Sequence, residues 1–267
     1  MIKTAKMPAK TPIRSLVATT IAMLTVAIAL IVTPAITARA ADTAPGANPV
    51  VVELFTSQGC SSCPPADAFL GELAKQPGIL ALSMHVDYWN GLGWRDRFSS
   101  ATVTSRQRRY ARSLGARYVY TPQMVVGGRS HVVGSDRPAV KRLIAKARAA
   151  AEHAPRLTLG HVKGGKMNVT VGKSSFVGRA TLWLAAFDDV HTTKIAAGEN
   201  GGRSIAYSHV VRELRSIGTW GGGEQKFDVD VSDEILKGYG NCAVLLQAGG
   251  NGPIIAAASM PIVPARH

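Results

Sequence analysis

The stretch Val50–Asp67, VVVELFTSQGCSSCPPAD, decides how this chain is read. Val50 to Phe55 is mostly apolar and β-branched, as a buried strand is. Thr56-Ser57-Gln58-Gly59 forms a polar turn, and Cys60 and Cys63 follow at CxxC spacing. Pro64 and Pro65 suit a first helical turn, where proline's missing N–H is no loss and its φ is already helical. Asp67 in the same turn suits the helix dipole. The order strand, turn, two cysteines, helix puts a thiol pair at a helix N-terminus, where free N–H groups and the macrodipole favour a thiolate. Thiol chemistry is the expectation that this stretch raises.

Upstream, Lys3, Lys6, Lys10 and Arg14 precede an apolar run from Leu16 to Val32, and Ala38-Arg39-Ala40 follows. A basic region, an apolar region and an A-x-A site together predict a secretory signal peptide over residues 1–40, cut after Ala40. An uncleaved anchor is the alternative, although the run is short for a span of about 20 residues. The chain has 267 residues and a formal charge of +14, which cleavage would lower to +9, since residues 1–40 hold five basic side chains and no acid. The remaining charge is spread among acids and accompanies no nucleic-acid motif, so no nucleic-acid partner is expected. No membrane span is expected after cleavage. The implied location is periplasmic or secreted.

Only Cys60, Cys63 and Cys242 are cysteines, too few for a disulfide-stapled fold. In an oxidising compartment a CxxC pair rests as a disulfide unless something reduces it. Cys242 lies in the apolar run NCAVLLQ and reads as a buried thiol.

Downstream, Phe69, Leu70 and Leu73 give the first helix its apolar face, and Gln76-Pro77-Gly78 stops it. Ile79–Val86 predicts a second strand. Asp87–Ser100, DYWNGLGWRDRFSS, predicts a long loop rich in glycine and aromatic residues. Its aromatic side chains either cover the cysteines or pin the loop down. Ser99–Leu114 predicts an amphipathic helix whose Arg106, Arg108, Arg109 and Arg112 form a solvated face. Thr121–Gly134 predicts two strands around Gly127-Gly128, and Arg137–Ala151 a last helix. Alternating strands and helices argue a partly parallel sheet with helices on both faces.

After Pro155 the pattern changes to short strands separated by glycine turns: Leu157–Val162, Met167–Val171, Ala180–Phe187, Thr192–Ala196, Ile205–Ile217, Lys226–Val231, Asn241–Gln247 and Ile254–Val263. Such spacing suggests an antiparallel sandwich or barrel. Ser208–Leu214 is equally compatible with one or two helical turns.

The CxxC pair between strand and helix, followed by ARSLGARYVYTPQMVVGGR (Ala111–Arg129), resembles the thioredoxin fold. The fuller pattern, with HVDYWNGLGW and Gly198–Trp220, is similar to a family of bacterial secreted proteins of unknown function. Members of that family join a thioredoxin-like domain to a C-terminal β-domain. The fold class implied is an α/β thioredoxin-like domain over 41–154 and a mainly antiparallel β-sandwich or barrel domain over 155–267. The resemblance also implies that Cys60 is an exposed nucleophile and Cys63 the resolving thiol. It further implies that Pro122 is cis, with the Thr121 backbone positioning the substrate. Ser61-Ser62 departs from the filling of better-known relatives and places no His or Lys between the cysteines. Helix N–H groups are then left to stabilise the thiolate.

Glu53, seven residues before Cys60, reads either as a proton relay for the resolving thiol or as an acid that meets solvent or a basic partner. His85, Asp87 and Trp94 are expected at the site periphery, since parallel strands deliver residues to a site at their C-terminal ends. No cofactor and no resident metal are expected. The leading functional expectation is an exported thiol–disulfide oxidoreductase acting on protein or small-molecule thiols, with a separate redox partner. Copper or zinc handling through the same cysteines is one alternative. A non-catalytic interaction protein with a structural disulfide is the other.

Overall fold

The computed structural model describes residues 48–150, 154–160 and 162–262; the signal segment expected over 1–40 lies outside the described residues. In chain order the elements begin β1 (Val50–Thr56), α1 (Pro64–Ala74), β2 (Ile79–His85), α2 (Ala101–Ser113), β3 (Gln123–Val126), β4 (Ser130–Val133) and α3 (Arg137–Ala149). They continue with β5 (Leu157–Leu159), β6 (Lys166–Val171), β7 (Ala180–Lys194), β8 (Ser204–Trp220), β9 (Gln225–Asp230), α4 (Ser232–Leu236), β10 (Asn241–Ala248) and β11 (Ile254–Pro261). Among the described residues no helix is long and apolar enough to cross a membrane.

The arrangement corrects the expected fold class. An α/β thioredoxin-like domain followed by a separate β-domain is not what forms. Eight strands make one mixed sheet, ordered β11-β10-β7-β8-β2-β1-β3-β4, and a small sheet β5-β6-β9 accompanies it. β1 pairs with β2 in parallel and with β3 antiparallel. On the other side β2 would present an open edge, and β8 covers it, with Ser83 opposite Val210. Unpaired edges invite association, so a partner strand from the same chain removes that exposure. At the join His209 takes φ +50 and its ring Nδ1 donates to the Ala81 carbonyl at 2.9 Å. A side chain thus replaces a ladder bond where the backbone turns away.

The packing explains why the sheet is continuous. β1 alternates its side chains across the sheet. Val50, Val52 and Leu54 pack with Phe69, Leu70 and Leu73 of α1 and with Val140 and Ile144 of α3. Val51 and Phe55 face the other way, onto Val103 and Tyr110 of α2. That second cluster also takes in Phe187, Val211, Leu214, Ala243 and Leu245. Residues on both sides of Pro155 therefore share one core, and each fully buried Val, Leu or Phe there contributes about 1.5–3 kcal/mol. A further cluster, including Met167, Val169, Leu182, Val244 and Trp220, fills the space between the two sheets.

Three local expectations also change. β7 is a single strand where two were expected, Ala180–Phe187 and Thr192–Ala196, and Ser208–Leu214 is strand throughout. Arg106, expected on a solvated face, is fully buried. The periodicity of α2 placed it correctly on the helix but could not show that β1 supplies a carboxylate opposite.

Candidate functional site

The site starts where β1 ends. Thr56 to Cys60 are all buried, and the turn is closed by short-range bonds: Gly59 N–H donates to Ser57 Oγ at 3.1 Å and Cys60 N–H to the Ser57 carbonyl at 3.2 Å. Cys63 N–H donates to the Cys60 carbonyl at 3.2 Å, and α1 begins with Cys63 at its N-cap. The two sulfurs are joined as a disulfide, with Cα atoms 5.4 Å apart. Pro64 and Pro65 occupy the first helical positions and bring no donors. The Ala66 and Asp67 amides both bond to the Cys63 carbonyl. The expectation that helix N–H groups alone would stabilise a thiolate is therefore weakened at this particular helix. Ser62 Oγ lies 3.4 Å from Cys60 Sγ and is one of few polar contacts made by that sulfur.

Cys60 is not the exposed nucleophile expected: both cysteines are fully buried, while Ser61 and Ser62 are exposed. Two loops provide the cover. The first is the Asp87–Ser100 loop, where Trp94 Nε1–H donates to Gln58 Oε1 at 2.9 Å and Trp89 Nε1–H donates to Thr121 Oγ1 at 2.9 Å. The second is the tip between β7 and β8, residues 195–203. There the Asn200 carboxamide donates to the Gln58 and Cys60 carbonyls, both at 2.9 Å. The exposed Glu199 carboxylate accepts the Ser61 N–H at 3.1 Å. The loops also hold each other. Gly198, at φ +74, lies so near that an added Cβ would sit 3.1 Å from Trp94 Cβ and 3.3 Å from the Leu92 carbonyl. Glycine is required there by both the close approach and the backbone angle.

Gln58 joins the parts. Its N–H donates to Asp96 Oδ2 at 2.8 Å and its side-chain amide to Thr193 Oγ1 at 3.3 Å, besides the bonds it accepts from Trp94 and Asn200. Asp96 in turn meets His85 Nδ1 at 2.6 Å and accepts the Phe98 N–H at 2.9 Å. Burial opposes charge on Asp96, but the facing His85 and the amides of Gln58 and Phe98 hold its carboxyl below the usual range.

Beneath the disulfide lies a buried polar cluster. Asp67 is one helical turn past Cys63 and fully enclosed, and neither of its carboxylate oxygens has a hydrogen-bond partner among the described residues. The same holds for Thr56 Oγ1, Ser83 Oγ, His85 Nε2 and Tyr207 OH. The His85 and Tyr207 ring centroids are 4.9 Å apart. Burial pushes the Asp67 carboxyl up to about 7, against the pull of His85. Burial, with Asp67 and Asp96 nearby, pushes the Tyr207 hydroxyl up as well. Asp67 is thus a carboxyl that holds its proton to near neutrality beside the disulfide.

The expected site residues divide as follows. Cys60 and Cys63 form the motif, Trp94 and His85 are connected to it through Gln58 and Asp96, and Thr121 is bound by Trp89, which packs against Gly59. The Thr121–Pro122 peptide is cis, and Pro122 packs near Ala66, since an added Cβ at Gly134 would meet both within 3.3 Å. Asp87 turns instead to α2, accepting from Thr104 Oγ1 at 2.6 Å. Glu53 points to the α2 side of the sheet, away from α1. There it is bound by Arg106 Nε at 2.6 Å and Tyr110 OH at 2.6 Å. Of its two readings, the structure places it with the basic partner. Cys242 is buried against Met167, with burial pushing its thiol up to about 12. Among the described residues no group of three or more His, Cys, Asp or Glu side chains is placed to hold a metal ion.

Gln58, Asp67, Asp96, Glu199, Asn200 and Tyr207 were not singled out from sequence as site residues. Asp67 carried a local signal, lying three residues before the buried Leu70 on one helix face. Glu199 and Asn200, 138 and 140 positions from the Ser61 amide and the Cys60 carbonyl that they bond, carried none beyond a glycine-rich turn.

One family model, described as "Protein of unknown function (DUF1223)", matches residues 51–247. The crystal structure of a protein from Agrobacterium tumefaciens is similar at 34% identity and a TM-score of 0.70, covering 82% of this chain and 96% of that one. HBP35 of Porphyromonas gingivalis is similar in fold alone, at 16% identity and a TM-score of 0.56, covering 80% of this chain and 75% of that one. No curated protein matches.

Proposed function

Starting from the fact that the chain belongs to the DUF1223 family, whose description states no reaction, we propose that it is an exported thiol–disulfide oxidoreductase working through Cys60 and Cys63. The observation that carries this reading is the Cys60–Cys63 disulfide at the start of α1, with the buried Asp67 carboxyl one helical turn further along the same helix. In the reducing direction the Cys60 thiolate attacks one sulfur of a substrate disulfide, and the other sulfur leaves as a thiolate. Cys63 then attacks Cys60 Sγ, which frees the second substrate thiol and closes the protein disulfide. Two electrons pass from the cysteine pair to the substrate. In the opposite direction the pair accepts two electrons from a dithiol, so a separate redox partner must restore it in either case. Asp67, one helical turn past Cys63, is the buried carboxyl we assign to proton exchange with that thiol. Thr121 offers its backbone to the incoming chain.

A second reading is favoured by one specific observation, the complete burial of both cysteines beneath the 195–203 tip. A buried disulfide of this kind serves as a clasp across the turn that joins β1 to α1. A Cys63→Ala variant separates the two. As an oxidoreductase it retains substrate as a mixed disulfide on Cys60, recoverable by non-reducing electrophoresis, and the wild-type pair equilibrates with glutathione. A potential below about −300 mV with nothing trapped sinks the redox reading and leaves the clasp.

A further inference from the structure

Apart from the Ser62 hydroxyl, 3.4 Å from its sulfur, few donors are available to a charge on Cys60. Pro64 and Pro65 have no N–H, the Cys63 amide is held by the Cys60 carbonyl, and the Ala66 and Asp67 amides by the Cys63 carbonyl. The amide adjacent to Cys60, that of Ser61, is held by the Glu199 carboxylate at 3.1 Å. This carboxylate arrives from a loop 138 residues away in sequence. It is brought there by Asn200, which bonds the Gln58 and Cys60 carbonyls and is itself steadied by the Arg203 guanidinium at 2.9 Å. Gly198 fits the tip against Trp94. The tip therefore does more than cover the disulfide: it fixes a carboxylate on the amide of the residue that follows Cys60.

Resting on the redox reading above, we infer that Glu199 is a positioning residue that tunes the cysteine pair, disfavouring the Cys60 thiolate and so holding the pair toward the disulfide. Two effects act in the same direction. The carboxylate occupies the Ser61 amide, a donor next to Cys60, and its charge, held one residue along the chain, disfavours a second negative charge on Cys60. The half-reaction makes the consequence explicit. The disulfide takes up two electrons and two protons to give two thiols, and ionisation of Cys60 then stabilises the reduced side. Whatever weakens that ionisation shifts the equilibrium back toward the disulfide. The Ser61-Ser62 filling acquires a role here, since a small exposed residue at 61 leaves its amide open to a carboxylate from another element.

The test compares wild type with Glu199→Gln and Glu199→Asp, using Glu224→Gln as a remote exposed control, with dithiothreitol and glutathione as the redox probes. Thiolate absorbance of the reduced protein, in a Cys63→Ser background, reports the Cys60 pKa. Equilibrium with glutathione at pH 8, in the intact pair, reports the equilibrium constant. Glu199→Gln is expected to lower the Cys60 pKa by roughly half to one unit, as a nearby exposed charge does. It is also expected to shift the glutathione equilibrium severalfold toward the dithiol. Both differences shrink as salt rises from about 0.05 to 1 M, because exposed charges are screened. Glu199→Asp keeps part of the wild-type value. Loosening of the cover alone would speed alkylation without moving the pKa, so the pKa is the deciding readout. A reversible pair whose Cys60 pKa is unchanged or raised in Glu199→Gln overturns the inference and leaves the redox reading standing. A disulfide that resists reduction in the folded protein overturns the redox reading itself.

Discussion

Asp67 is where burial and chemistry conflict most openly. A carboxylate with no hydrogen-bond partner costs several kcal/mol to enclose, so the group keeps its proton up to a pH of about 7 against an ordinary value of 3.8. An acid whose pKa is raised by folding binds more protons folded than unfolded between those two values. Stability therefore falls as the pH climbs from about 4 to about 7, and the penalty is complete above that. Asp67→Asn removes the titration. Its stability relative to wild type, measured by urea unfolding, is expected to be greater at pH 8 than at pH 5, by about 2–3 kcal/mol. The same substitution removes the proton store proposed for Cys63. The contrast with Glu53 is instructive. That carboxylate is equally buried but faces Arg106 and Tyr110; burial is the largest single influence on the Arg106 charge and opposes it, yet Glu53 and Tyr110 together outweigh it. Cysteines at CxxC spacing were legible because their relation is local. The partners of Glu53 and the isolation of Asp67 were not, because both depend on which elements the sheet brings opposite them.

At the scale of elements, the 195–203 tip and the Asp87–Ser100 loop act as one cover, joined through Gln58 and through the contact of Gly198 with Trp94. The aromatic residues of the first loop were readable as either a lid or an anchor, and they do both. Trp94 and Trp89 donate to Gln58 and Thr121 while covering the turn before Cys60. Asn200 makes the strongest single link, since its removal leaves two buried carbonyls without that donor. Asn200→Ala is expected to cost about 1–3 kcal/mol in urea unfolding. It should also make dithiothreitol reduce Cys60–Cys63 severalfold faster, followed as the rate of thiol appearance. Helix and strand positions were read well from periodicity in the first half of the chain. β7 and β8 were read less well, because a long hairpin with register shifts at Leu182/Trp183 and Ala186/Phe187 interrupts simple alternation.

For the whole molecule, the consequence of the eight-stranded sheet is cooperativity. The α2-side core draws on Val51, Leu82 and Tyr110 from one side of Pro155 and on Phe187, Leu214 and Leu245 from the other. The described residues accordingly form one compact unit. Calorimetry of the protein is expected to give a single unfolding transition, even though the sequence changes character at Pro155. A fragment ending at Ala154 is expected not to fold, because it exposes the β2 edge and half of a shared core; circular dichroism and size-exclusion chromatography check this.

The sequence by itself determined the strand, turn, cysteine pair and helix of Val50–Asp67, the order of elements up to α3, and the richness in short strands after it. Those are consequences of side-chain periodicity, proline and glycine geometry and short-range spacing, all of which act over a few residues. Only the tertiary structure decided that β8 lies beside β2, that Arg106 turns inward to Glu53, and that Asn200 and Glu199 close over Cys60. Strand pattern specifies that a face is buried but not which strand buries it, and a carboxylate's proton depends on charges far along the chain. At Cys60 and Cys63 the local rules placed the cysteine pair between strand and helix, and contacts about 140 residues distant in sequence close over the backbone beside it.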